Sequence, residues 1–181
     1  MIEELVAFTS THLAMVTLLM PWKKIVVTDE NVDPHTKENV LKTLWDMFNL
    51  DKWGYKMDGS TVLYDDSLPT MVNVFLSMSV VILAMAILGF GLRLLYPSLD
   101  PNIFSVVDFI NWGLILGLLV TMLISQSDFD ESWKFQYRSG AIGSGFTADT
   151  DKMFLPLGVV VVHLAMSSYF VGKDIIDRLR S

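Results

Sequence analysis

The stretch "MVNVFLSMSVVILAMAILGFGLRLLY", Met71 to Tyr96, decides the fold, because it carries no charged side chain before Arg93. Spanning about 30 Å of hydrocarbon takes roughly 20 helical residues, and this run exceeds that length. Lipid offers no partner to a backbone N–H or C=O, so a run that crosses it is helical. Two other runs read the same way. Ile103 to Ser125 contains one charge, Asp108, and Met153 to Gly172 contains none. The N-terminal run Leu5 to Trp22 is shorter and includes the polar patch Thr9-Ser10-Thr11-His12. It is expected to be a fourth span, with an in-plane interfacial helix as the alternative. The expected fold is therefore an all-α integral membrane protein, a four-helix transmembrane bundle with spans at about 4–22, 71–96, 103–125 and 153–172.

Composition agrees. The chain of 181 residues is 52% hydrophobic, and its apolar residues stand in long runs where a water-soluble domain would show periodic stripes. There are no cysteines, which excludes disulfides, thiolate metal sites and iron–sulfur clusters. Asn-x-Ser/Thr sequons are missing as well. The two absences favour an organellar inner membrane or a prokaryotic membrane over a eukaryotic cell surface. A net charge of −7 without a basic stripe argues against nucleic acid as a partner. The opening "MIEELVAFTS" has no basic residue, unlike a signal peptide, so the first helix is expected to be a retained anchor.

Four spans leave two large connections on one side, residues 23–70 and 126–152. These hold nine of the thirteen Lys and Arg residues and fourteen of the twenty acids. Positive charge is densest in the short tail "KDIIDRLRS", which places the termini on the cytoplasmic or equivalent side. The first connection is expected to fold into a small extramembrane cap. "IVV" after Lys24 reads as a strand, and Asp33-Pro34 reads as a helix start. Val40, Leu41, Leu44, Trp45 and Phe48 then share one face of a predicted amphipathic helix. A turn at Asp58-Gly59 and a strand from Thr61 to Tyr64 complete the cap. The second connection divides into "SDFDESWKFQYR" and "SGAIGSGFTADTD". Neither part has the residues of a phosphate loop or an EF-hand.

Ionisable groups inside spans are functional candidates because burying them is expensive. His12 and His163 stand at matched depth, which would suit two axial ligands of a haem b. Asp108, with Asn111 one turn further along, could extend them into a proton or ion relay. The plainer reading gives each imidazole a neighbouring hydroxyl: Thr9, Ser10 or Thr11 for His12, and Ser167 for His163. No cofactor is otherwise expected, although bound lipid is. Small residues form three candidate packing faces: Gly113, Gly117 and Thr121; Ser77, Ala84 and Gly91; and Gly158, Ala165 and Gly172.

Three fragments resemble a known family. "MPWKK" is similar to the tryptophan that ends the first helix of claudins and the related peripheral-myelin-protein and calcium-channel-gamma group. "TLWDMF", with Trp45 after Trp22, resembles their Gly-Leu-Trp element, and "LYDDSLP" resembles their Tyr-Asp-Ser-Leu stretch. The family's two loop cysteines are absent; Phe48 and approximately Asp58 stand in their places. Residues 36–49, read here as a helix, fall where the family has mainly strands. The resemblance implies lateral assembly through Trp22, Trp45, Trp133, Phe135 and Tyr137.

The residues themselves offer more contact surface than chemistry. The expected function is a non-enzymatic accessory or scaffold subunit whose partners are other membrane subunits and lipids, with Trp22, Trp45, Phe48, Trp133, Phe135 and Tyr137 as contact residues. A claudin-like adhesion or barrier protein is one alternative. A haem b- or proton-carrying subunit built on His12, His163 and Asp108 is the other.

Overall fold

The computed structural model describes residues 2–28, 37–48, 54–57, 60–63, 67–131, 136–137 and 154–180. Four long helices are present: α1 (Ile2–Leu19), α3 (Ser67–Leu95), α4 (Pro101–Glu131) and α5 (Phe154–Arg180). Each is long and apolar enough to cross a membrane, and the chain is an integral membrane four-helix protein. Between α1 and α3 lie β1 (Pro21–Thr28), β2 (Lys37–Thr43), the short helix α2 (Leu44–Phe48), β3 (Gly54–Met57) and β4 (Ser60–Leu63). Strand β5 (Gln136–Tyr137) precedes α5.

Local sequence explains the helix ends. α1 stops before Pro21, whose ring disfavours helical backbone at the residue ahead of it. α4 begins at Asp100-Pro101, with proline in the first helical position. The Asp100 carboxylate caps this end, accepting hydrogen bonds from Asn102 N (2.9 Å) and Asn102 Nδ2 (3.0 Å). α4 runs on through Glu131, so the acids Asp128, Asp130 and Glu131, expected in a loop, are helical. α5 continues through the charged tail, where Lys173–Asp177 and Arg178–Asp174 pair one turn apart.

The chain divides into two compact units. The first, residues 1–18, 77–123 and 155–181, is the bundle. Its inter-helix contacts close a ring of neighbours. Thr11 Oγ1 donates to Ala86 O (3.3 Å), joining α1 to α3. Arg93 pairs with Asp108, joining α3 to α4. Trp112 Nε1 donates to Ser168 Oγ (3.0 Å) and Ser105 Oγ to Asp174 Oδ1 (2.7 Å), joining α4 to α5. Lys173–Glu3 (3.1 Å) and a cluster of Val6, Ala7 and Phe170 join α5 to α1. In every pair, higher numbers on one helix meet lower numbers on the other, so all neighbours are antiparallel.

The second unit, residues 19–76 and 124–154, contains the strands and α2. β1 and β2 pair antiparallel with Ile25 opposite Val40, and β4 lies between β3 and β5. The strand expected from Thr61 is β4. The amphipathic helix expected over residues 36–49 is not formed. Instead Lys37–Thr43 is a strand, and among the described residues of this stretch helix covers Leu44–Phe48. Helical periodicity is a weak prior. The Ile25-Val26-Val27 strand presents a row of backbone donors and acceptors that needs a partner, and residues 37–43 supply it. Thr43 then starts α2: Asp46 N donates to Thr43 Oγ1 (3.1 Å), while Thr43 N donates to Asp46 Oδ2 (3.0 Å). In the same unit Trp22, Phe75 and Phe129 form an aromatic core, with Trp22 stacked on Phe75 and Phe129 edge-on to it.

Candidate functional site

The internal stripe of α1 is Val6, Ala7, Ser10, Ala14 and Thr17, and that of α5 is Pro156, Val160, His163, Ser167 and Phe170. Both follow the three-and-four spacing of one helical face. Where the stripes meet, Ser10 Oγ and His163 Nε2 share a hydrogen bond of 2.6 Å. His163 is thus buried with a satisfied ring nitrogen. Its partner comes from the facing helix and is not Ser167 one turn away, as the sequence suggested.

His12 is placed differently. Two residues on from Ser10, it is rotated by about 200° and points away from the stripe. It is exposed, and its Nδ1–H donates to Phe8 O (2.8 Å) within its own helix. Spans one and four are neighbours, yet His163 packs against one face of α1 while His12 projects from another. A bis-histidine haem site does not fit: one nitrogen of His163 is committed to Ser10, and His12 faces outward.

Asp108 and Asn111 do come together, with a residue that sequence reasoning treated only as the end of a run. Arg93 Nη2 donates to Asp108 Oδ2, and Arg93 Nη1 to Gly89 O (3.1 Å). The guanidinium lies 4.2 Å from the Phe170 ring centre and 5.2 Å from that of Phe104, both within cation–π range. Helical side chains lean towards the N-terminus, so Arg93, near the end of α3, reaches inward to Gly89. A Cβ at Gly89 would stand 3.4 Å from Arg93 Nη1 and 3.5 Å from Val107 Cγ1, an ordinary contact distance, so the Arg93 reach does not depend on glycine there. The available signal was depth: in an antiparallel hairpin turning at Pro97–Asp100, a long side chain at 93 meets the next span near 108.

Two cavities flank the Ser10–His163 bond. One is lined by Ser10, Gly89, Arg93, Asp108, Asn111 and Phe170 among others. The second is lined by Thr17, Ser79, Ile82, Ile115, Leu118 and His163 and has no room for a water. Polar groups therefore gather on one side of His163, while the other side is mostly aliphatic.

The packing faces divide sharply. A Cβ at Gly117 would meet Met78 Cε at 3.3 Å, so this glycine serves the bundle. Thr121 Oγ1 donates to Gly117 O (2.8 Å). At Gly91, Gly113, Gly158 and Gly172 a Cβ would meet nothing among the described residues within 4 Å, and Ser77, Ala84 and Ala165 are exposed. Among the aromatic contact candidates, Trp22 is buried in the core and is unavailable as a surface contact. Trp45 and Phe48 are exposed, with ring centres 6.2 Å apart. Trp133 and Phe135 lie outside the described residues; Tyr137 is in β5.

The Ser10–His163 bond yields an asymmetric expectation. Ser10→Val leaves a buried imidazole nitrogen without a partner, which costs about 1–3 kcal/mol. His163→Leu leaves a serine that can turn its hydroxyl to the carbonyl four residues back, so it costs less. Thermal unfolding in detergent should rank Ser10→Val below His163→Leu. The double-mutant cycle should return a coupling of about 0.6–1.7 kcal/mol.

These features define a class: an antiparallel four-helix integral membrane protein with an ion pair and a histidine–serine bond inside the bundle. Comparison with known protein families finds none that matches the chain, and comparison with curated proteins finds no relative.

Proposed function

We propose that this chain is a non-enzymatic accessory or scaffold subunit of a larger membrane complex, acting through helix-face contacts. The observation that carries this reading is the outward stripe of small residues on α5, Gly158, Ala165 and Gly172, whose glycines have open space where a Cβ would stand. Glycine inside a helix costs about 0.8–1.0 kcal/mol relative to alanine, and lipid alone is served as well by leucine. Small residues here gain their use when another helix approaches closely. Ser77, Ala84 and Gly91 on α3 offer a second such face. Lipid chains fill these shallow faces where no helix does. The lack of cysteines and sequons supports an organellar inner membrane or a prokaryotic one.

A second reading, claudin-like side-by-side assembly, gains from one observation. Residues 37–43 are a strand, which is what the resemblance implied where periodicity suggested a helix. Two measurements separate the readings. Ala165→Leu should reduce recovery of co-purifying membrane subunits in mild detergent, while Val16→Leu, exposed on α1 away from either small-residue face, should not. Neither should move the unfolding midpoint by more than the equivalent of about 0.5 kcal/mol. The chain has no cysteine of its own, so Ala165→Cys reports self-contact cleanly. Disulfide-linked copies as the main product, with no other subunit recovered, would replace the scaffold reading with homopolymeric assembly.

A further inference from the structure

Among the described residues, three buried polar atoms in the bundle lack a partner, and two of them, the donor Arg93 Nε–H and the acceptor Asn111 Oδ1, line one cavity. Neither reaches water on its own, since the Arg93 side chain is 8% exposed and Asn111 is 7% exposed. Unmet polar groups in such a setting call for a ligand. Both residues line the cavity shared with Ser10, Gly89, Asp108 and Phe170.

Size selects the ligand. The space open to the centre of a water-sized sphere is about 10 Å³, approximately what one water requires. A lipid headgroup, a hydrated ion or a porphyrin is too large. Chemistry selects the same molecule, because a water can accept from Arg93 Nε–H and donate to Asn111 Oδ1 at once. Its remaining hydrogen has the Asp108 carboxylate and the Ser10 hydroxyl within the same lining, consistent with the roughly three bonds that buried waters make. Ser79 Oγ provides the contrast: it too is buried without a partner, but the void it lines has no room for a water.

We propose that this cavity is a binding site for a single structural water that bridges Arg93 on α3 to Asn111 on α4, beside the Arg93–Asp108 ion pair. The water supplies the guanidinium with a hydrogen bond that lipid cannot, and it ties the ion pair to the cluster around Ser10.

Radiolytic hydroxyl labelling of the full chain in detergent tests this, because an X-ray pulse splits a bound water in place and oxidises the side chains touching it. Phe170 lines the cavity and is 8% exposed; Phe75, in the aromatic core of the other unit, is fully buried. Phe170 should be oxidised several-fold faster than Phe75. In Asn111→Leu, which removes the acceptor and fills the space, Phe170 should fall to the Phe75 rate. Equal rates in the unmodified chain, a comparison that needs no variant, would overturn the proposal. So would a fast Phe170 rate that persists in folded Asn111→Leu protein.

Discussion

Asp108→Leu is expected to cost the bundle about 3–5 kcal/mol, the usual penalty for stripping one partner from a buried ion pair. At roughly 2–4 °C per kcal/mol for a chain of this size, the unfolding midpoint in detergent should drop by about 6–20 °C. The guanidinium would keep the Gly89 carbonyl and the Phe104 and Phe170 rings but would lose its counter-charge. It cannot shed its proton, so the charge stays. Arg93→Leu is expected to cost less, because a carboxyl left alone in an apolar setting can bind a proton and become neutral. Arg93→Leu with Asp108→Leu should recover most of the loss, since buried ion pairs often exchange for apolar residues at little net cost. Melting curves of the three variants check the order. A double variant as unstable as Asp108→Leu would mean that the pair does more than balance charge.

This ordering bears on how much of the molecule was legible beforehand. The four spans were readable because lipid forces a run of about 20 apolar residues into helix whatever its neighbours do. The extramembrane segment lacked that constraint. At Lys37–Thr43 a helical repeat of apolar residues competed with the needs of an unpaired strand, and the strand won. The histidines illustrate a different limit. Depth alone matched His12 with His163, but orientation follows the whole stripe, and His12 falls outside Val6, Ala7, Ser10, Ala14 and Thr17. Arg93 was passed over because it stands near a helix end, where long cations commonly reach outward to water. Here it turns inward to Gly89 and Asp108. The glycines could not be sorted by spacing. Gly113 and Gly117 share one repeat, yet among the described residues a Cβ at Gly117 would meet another helix and one at Gly113 would not.

Trp22 was expected at a partner surface, and its burial leads to the second large effect. Phe75 is fully buried, with the Trp22 ring stacked on it at 5.4 Å and the Phe129 ring edge-on at 5.6 Å. Phe75→Ala should cost about 3–5 kcal/mol, combining lost transfer energy with the cavity left behind. Each aromatic pair adds about 0.5–1.5 kcal/mol beyond its buried area. Phe75→Leu keeps most of the volume and loses only the ring pairings, so it should cost less than half as much. Trp22→Ala belongs with Phe75→Ala, because it opens the same cluster from the other side. Trp45→Ala, at a ring that is 56% exposed, should move the midpoint far less and lower partner recovery if that ring is a contact. Thermal unfolding of the four variants, read beside co-purification, separates the roles. If Trp22→Ala lost partners while keeping its midpoint, the ring would be a contact after all, and the aromatic core would rest on Phe75 and Phe129 alone.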